Sequence, residues 1–302
     1  MAWLVTHTAK STVCELMRIA WRTVGSIIDR VVADGRAAHD PFSGLTRIGI
    51  DEISYKKGHR YLTIVVDHDT GRLVWAAVGR DKKTLNGFFD LLGEERSEQI
   101  SLVSADGAGW IATVVAERAP NATLCIDAFH VVAWATDALD EVRRQVWNEA
   151  RKGGMSGHAN QLKGCRYALW RNPEDLTPRQ AGKLAWIAKV NTKLYRAYLM
   201  KEQLRLAIRK KGVLALAMLD GWLDWAQRCR IPAFVELGRK IKKNIAGIEA
   251  AMLNNLSNAL IESTNTKIRV LHRMAFGFAK PEHLIALALL DRGGYCPPLP
   301  GR

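Results

Sequence analysis

The hydrophobic period of the chain changes twice. Residues 8–34 carry apolar positions at helical spacing in two sets, Val13, Leu16 and Met17, then Trp21, Val24, Ile27, Ile28 and Val31. That pattern predicts two short helices separated by a turn at residues 18–20. From Arg47 the texture is that of strands: RIGIDEI (47–53), YLTIVVD (61–67) and RLVWAAV (72–78) are short, apolar and β-branched. KKGH and HDTG lie between them as hairpin turns. A helix is expected at 83–92, a strand at 100–104, a helix at about 110–118, a strand at 122–126 and a long helix from about residue 129. Beyond that point no strand pattern recurs. Leu, Ala, Lys and Arg dominate, with breaks at Gly153-Gly154, Asn172-Pro173, Gly212, Ile231-Pro232 and Lys280-Pro281.

Three meandering strands followed by helix, strand, helix, strand, helix imply an α/β fold, a mixed sheet with helices on its faces. That order is the one used by the ribonuclease H-like fold, and in it the first and fourth strands are parallel neighbours. The expected organisation is a helix-turn-helix segment at 1–40 and the first part of the core at 45–130. A basic all-helical insertion follows at 131–255, and C-terminal helices at 256–302 complete the core. In a helix-turn-helix the second helix would offer Arg22, Thr23, Ser26 and Arg30 to DNA; a plain helical hairpin has the same hydrophobic pattern. The tryptophans of the helical region, Trp147, Trp170, Trp186, Trp222 and Trp225, read as core anchors, and PPLPGR as a short frayed tail.

Composition narrows the partners. With 48% hydrophobic and 25% charged residues in 302, the chain has the make-up of an ordinary globular protein. It contains no apolar run long enough for a membrane-spanning helix, and its start lacks the basic head and apolar stretch of a secretory signal. Five scattered cysteines without a CxxC pair argue against a zinc finger or disulfide framework and fit a reducing cytoplasm. Charge is uneven: residues 1–140 hold 15 Lys+Arg against 18 Asp+Glu, residues 141–302 hold 29 against 12. A basic second half of +17 points to a polyanion, and nucleic acid fits because neutralising phosphates releases counterions.

Three carboxylates stand where chemistry is expected. Asp51 interrupts the apolar first strand, and Asp106 ends the fourth in LVSADGAGW. On adjacent parallel strands both would reach one metal ion, whereas a lone aspartate at a strand end is more often a turn former or helix cap. Glu52 points to the opposite face by strand alternation. Glu262, Arg269 and Arg273 follow one another by seven and then four residues, which aligns them on one helical stripe beside the apolar side of Ile261, Ile268, Leu271 and Ala275. Such a stripe suits a metal ligand beside a phosphate backbone, and equally a solvated face with an internal ion pair. In CIDAFHVV, Asp127 and His130 close the fifth strand and open a helix, either as an N-cap and a half-buried histidine or as neighbours of the same cleft.

RIGIDEISYKKGHRYLTIVVDHDTGRLVW, LVSADGAGW, CIDAFHVVAWATDALDEVRRQV and NALIESTNTKIRVLHRMAFGF together resemble the ISL-three-type insertion-sequence transposases of bacteria, within the DDE transposases. The resemblance runs from about residue 5 to 291. It implies a ribonuclease H-like core with a helical insertion between the second and third acidic residues. Asp51, Asp106 and Glu262 would be the catalytic carboxylates, holding two Mg²⁺ or Mn²⁺ ions for DNA cleavage and strand transfer. Asp127, in a D-x-x-H motif similar to one found after the second aspartate in related enzymes, is the alternative second ligand. Lys267, Arg269 and Arg273 would contact DNA. Double-stranded DNA, as element ends and target, is the implied partner of a dimer or larger assembly acting in the cytoplasm at the nucleoid, with no membrane involved. Members usually begin with a cysteine-rich zinc-binding domain, which this sequence lacks. The rival reading is a non-catalytic DNA-binding protein, a decayed or domesticated copy serving as repressor or architectural factor.

Overall fold

A computed structural model of the chain describes residues 1–56, 58–254, 259–278 and 280–299. Lys57 of the KKGH turn, the junction near residue 256 and the end of the PPLPGR tail lie outside them. The chain forms two compact units, Met1–Cys125 with Ser257–Arg302, and Ile126–Leu256.

The first unit opens with α1 (Ala2–His7), α2 (Lys10–Met17) and α3 (Trp21–Ala38). Then come β1 (Arg47–Lys56), β2 (Arg60–Asp67), β3 (Leu73–Val78), α4 (Lys82–Leu92), α5 (Glu94–Glu98), β4 (Leu102–Ala105), α6 (Gly109–Arg118) and β5 (Thr123–Ile126). The strands form a five-stranded sheet in the order β3-β2-β1-β4-β5. β1 pairs antiparallel with β2 and parallel with β4, as the sequence predicts. β1 runs three residues past the predicted end because Lys56 pairs with Arg60 beyond an irregularity after Ser54.

Strand alternation sorts the side chains onto two faces. Ile48, Ile50 and Val65 join Leu85, Phe88 and Phe89 of α4 and Ile111 and Val114 of α6 in one buried cluster. Ile53, Leu62, Ile64 and Val66 join Val24, Ile28 and Val32 of α3 in another. Of the apolar positions expected to face inward from the N-terminal helices, Leu16, Met17 and Trp21 are exposed. α2 stops at Met17 in a left-handed Arg18 (φ 53°), and Trp21 instead lies under the Lys10 ammonium, 4.7 Å from its ring centre.

Past Ile126, the last residue of β5, the described elements of the second unit are all helical: α7 (Ala128–Lys152), α8 (Ser156–Lys163), α9 (Arg166–Trp170), a 3-10 turn (Pro173–Asp175), α10 (Pro178–Val190), α11 (Thr192–Arg209), α12 (Val213–Arg228), α13 (Pro232–Lys243) and α14 (Ile245–Asn254). The predicted breaks fall between these helices, because proline at a first helical position sets φ and needs no donor. Trp222 is fully buried, and Trp147, Trp170, Trp186 and Trp225 pack against the same core. This unit holds 23 Lys+Arg against 12 Asp+Glu, a surplus of eleven. It also buries charge. Arg205 grips Glu174 with both terminal nitrogens, at 2.8 and 3.0 Å, and Glu202 with Nε at 2.8 Å; Lys201 donates to the Leu169 carbonyl at 3.0 Å and pairs with Glu202. These bonds tie the 3-10 turn to α11.

The chain then returns to the first unit as α15 (Ala259–Met274) and α16 (Pro281–Arg292), which cover the second face of the sheet through Ile261, Ile268, Leu271, Leu284 and Leu287. α15 lies so close to β1 that only glycine fits beneath it. A Cβ on Gly49 would stand 2.1 Å from Cδ1 and 2.8 Å from Cγ1 of the fully buried Ile261. Among the described residues no helix is long and apolar enough to cross a membrane.

Two stability measurements follow from this packing. Gly49→Ala should destabilise the protein by about 1–3 kcal/mol through overpacking. Combining it with Ile261→Ala should cost less than the two single losses together, by about 0.5–3 kcal/mol of coupling; additivity in denaturant melts would contradict the close approach. In the second unit, hydrogen bonds from Arg205 hold the Glu174 carboxyl down at about 2, against 4.5 ordinarily. A depressed carboxylate stabilises above its unfolded value, and that stability is lost as pH falls through the folded one. The stability gap between wild type and Glu174→Gln should therefore be full above pH 4.5 and close as pH falls towards about 2; a gap independent of pH would exclude the interaction.

Candidate active site

β1 delivers two consecutive carboxylates to opposite faces of the sheet. Asp51 leaves on the α15 side, where both its oxygens are engaged. Oδ1 accepts the Glu52 N–H at 2.7 Å and Oδ2 accepts Nδ2 of Asn265, on α15, at 2.5 Å. Glu52 leaves on the other side, its side chain 7% exposed, with Nε of Arg80 2.6 Å from one oxygen and the other buried without a hydrogen bond among the described residues. Burial pushes its carboxyl up to about 7; Arg80 opposes the shift, while the negative charges of Asp106 and Asp51 add to it.

Asp106 comes from the neighbouring strand. The β1–β4 ladder pairs Ile48 with Val103 and Gly49 with Ser104. Asp51 and Asp106 each lie two residues beyond the last of these pairs. Its Oδ1 accepts the Ala108 N–H at 3.0 Å, which folds the turn entering α6. One register level back, on the α15 side, His68 Nε2 and Ser104 Oγ are 2.7 Å apart beside Gly49. Burial holds the imidazole below its ordinary pKa, and the Arg47 charge acts in the same direction.

Glu262 stands exposed on α15, one turn before Asn265. Arg269 and Arg273, further along the same helix, join His272 against Ser54 and Tyr55 around a pocket of about 170 Å³. Neither guanidinium has a carboxylate within 4.0 Å among the described residues. Lys267 departs from this stripe: its ammonium lies 3.7 Å from Asp291 on α16. Of the residues expected at a DNA-reading helix, Arg22, Thr23, Ser26 and Arg30 are all exposed on α3.

Asp127 and His130 belong to the second unit. Asp127 caps α7, its Oδ1 accepting the Phe129 N–H at 3.2 Å, and its Oδ2 lies 4.0 Å from Nε2 of His130. The same unit carries an open groove of about 1010 Å³ whose lining includes Trp134, Arg144, Arg230, Arg239, Lys240 and Lys243. The Lys240 ammonium sits 3.8 Å from the centre of the Trp134 ring.

Asn265, Arg80 and Gly49 lie beside Asp51 and Glu52, and sequence reasoning passes over all three. Asn265 had a readable signal: it falls four residues after Ile261 and three before Ile268, a polar side chain on an apolar stripe. Arg80 and Gly49 had none, since their partners are distant in sequence.

Among the described residues no three His, Cys, Asp or Glu are gathered as a metal-binding group. The donor chemistry nonetheless fits a hard divalent cation. The donors are carboxylate oxygens alone, and the negative charges of Asp106 and Asp51 add to the burial that raises the Glu52 carboxyl.

The family model described as Transposase, for DDE enzymes of the ISL3 type, matches residues 48–288. Over its whole length the chain is 59% identical to the transposase for insertion sequence element IS1557 of Mycobacterium tuberculosis, strains CDC 1551 / Oshkosh and ATCC 25618 / H37Rv, covering 72% of that protein. Over 90% of its length it is 27% identical to the transposase for insertion sequence element IS1001 of Bordetella parapertussis, covering 66% of it. With a family match across Asp51, Asp106 and Glu262 and close identity over the full chain, this protein belongs to the ISL3-type DDE transposases, enzymes that act on DNA.

Proposed function

We propose that Asp51, Asp106 and Glu262 are the catalytic carboxylates of a ribonuclease H-like core and hold two Mg²⁺ or Mn²⁺ ions for cleavage and strand transfer at the ends of an insertion sequence. The observation that supports this reading is the parallel β1–β4 pairing, whose last pair, Gly49–Ser104, lies two residues before Asp51 on one strand and two before Asp106 on the other, while α15, the helix of Glu262, is bonded to Asp51 through Asn265. When bound, the ions would supply charge neutralisation at the phosphate and ease ionisation of the attacking water or hydroxyl. The chain's own part is positioning. Asp51 is held on both oxygens, Asp106 is fixed by its turn, and Arg269 and Arg273 offer paired guanidinium groups to a backbone phosphate. In the first displacement water attacks the phosphodiester at the element's end and breaks its P–O3′ bond, leaving a 3′-hydroxyl on the element and a 5′-phosphate on the flank; that hydroxyl then attacks a phosphodiester of the target and displaces the target's own 3′-hydroxyl.

The other assignments take their place around this centre. Residues 45–130 and 256–302 make the core, with 131–255 as an insertion that clamps the DNA backbone through its positive surplus and the Trp134–Lys240 groove. The α2–α3 pair, within residues 1–40, reads double-stranded DNA as a helix-turn-helix through Arg22, Thr23, Ser26 and Arg30. Lys267 serves as a backbone contact once released from Asp291. Bringing two ends together calls for a dimer or larger assembly, working on the nucleoid in the cytoplasm. Asp106 is preferred to Asp127 as second ligand because β4, not β5, is the parallel neighbour of β1.

With labelled element ends and Mn²⁺, Asp51→Ala, Asp106→Ala and Glu262→Ala should each lose nicking by on the order of 10³-fold or more while binding DNA as wild type does. Normal cutting by Asp106→Ala together with loss in Asp127→Ala would transfer the second role to Asp127. Binding without metal-dependent nicking by the wild type would leave a DNA-binding protein.

A further inference from the structure

We infer that Asn265 is a positioning residue for Asp51: its side-chain N–H fixes the plane of the carboxylate and couples it to the helix that carries Glu262. The inference rests on the proposed catalytic role of Asp51. Its own support is local and comes from three observations on one helix.

The bond itself has one possible sense. An ionised carboxylate only accepts, so the amide nitrogen of Asn265 faces Asp51, at 2.5 Å from Oδ2. With Oδ1 accepting the Glu52 N–H, the bond from Asn265 holds the second oxygen and restrains rotation about the broad terminal torsion.

The position is costly for an asparagine in every other respect. Asn265 is 4% exposed, and its Oδ1 is buried with no hydrogen-bond partner among the described residues. An orphaned buried carbonyl of this kind destabilises, whereas an apolar side chain of the same shape is close to neutral. The neighbours on its stripe, Ile261 and Ile268, are fully buried apolar residues, so packing alone calls for leucine here. The N–H donated to Asp51 is the gain that offsets this cost.

The helix is also placed to transmit the constraint. Gly49 lets Ile261 seat directly on β1, and one turn of α15 separates Ile261 from Asn265 and Glu262 from Asn265. Asp51 and the backbone that bears Glu262 are therefore joined by a contact at Gly49 and a bond at Asn265, two residues apart on the same strand. A carboxylate and a helix held together in this way are pre-arranged for a shared ligand, in the manner of partners that orient metal ligands from behind.

The test uses the full-length protein, Mn²⁺ as the probe, and the variants Asn265→Leu and Asn265→Ala. Asn265→Leu keeps the shape and removes both the donor and the orphaned oxygen. It should fold, melt within a few degrees of wild type and bind DNA normally. Its Mn²⁺ titration, followed by the ion's electron paramagnetic resonance signal and by nicking, should move to about 10–100-fold higher metal, with nicking restored at saturating Mn²⁺. Asn265→Ala should show the same displaced titration even if it melts lower. Asp51→Ala, run beside them, should not recover at any metal concentration. Wild-type Mn²⁺ curves in both Asn265 variants would overturn the inference and leave Asn265 as a packing residue. Normal nicking by Asp51→Ala would instead remove the catalytic reading, whatever the Asn265 variants do.

Discussion

The site depends on how closely α15 lies on β1. A glycine at position 49 lets Ile261 settle onto the strand, and two residues further along the strand the Asn265 amide meets Asp51. Burial of Ile261, Ile268 and Leu271 drives the approach, and the hydrogen bond sets the helix's rotation. A side chain at Gly49 would lift the helix from the strand, and with it the Asn265 amide from Asp51 and the Glu262 backbone from the strand end. The sequence separation of these parts, more than 200 residues between Asp51 and Asn265, means that the site exists only after the chain has returned from the helical unit.

The division into two units matches a division of electrostatic labour. Unit one carries carboxylates in the middle of β1 and just past the end of β4, with Glu52 raised to about 7 by burial and by its neighbours. Unit two carries the positive surplus, spread over exposed helix faces and a groove edged by Arg144, Arg230, Arg239, Lys240 and Lys243. Its buried charges are matched internally, as Arg205 is by Glu174 and Glu202. An enzyme that acts on a polyanion needs both properties: negative charge where cations are to be held, and positive charge where the polymer is to lie.

The strands, their turns and the helix breaks were legible in the sequence because each depends on local chemistry: β-branched runs, Gly-containing turns and proline at first helical positions. The parallel pairing of β1 with β4 was legible as well, since a meander followed by alternating elements admits few orders. The N-terminal helices were harder. Leu16, Met17 and Trp21 fit an inward stripe by spacing, yet all three are exposed, the first two at the end of α2 before the left-handed Arg18 and the third at the start of α3. At the site, single carboxylates could be read but their partners could not. Asn265, Arg80 and His68 meet their neighbours through tertiary contacts that spacing does not encode. Lys267 shows the reverse case, a cation on the expected helix whose ion pair with Asp291 comes from the next helix.

The central claim is that three carboxylates separated widely in sequence serve one metal site. It can be tested by replacing the divalent ion with Fe²⁺ and generating hydroxyl radicals from it with ascorbate and peroxide, then mapping where the protein backbone is cut. The account predicts cuts clustered around residues 51, 106 and 262, suppressed together by excess Mg²⁺ and together by Asp51→Ala. Cuts around residues 127–130 in place of 106, or scattered cuts that Mg²⁺ does not suppress, would contradict it.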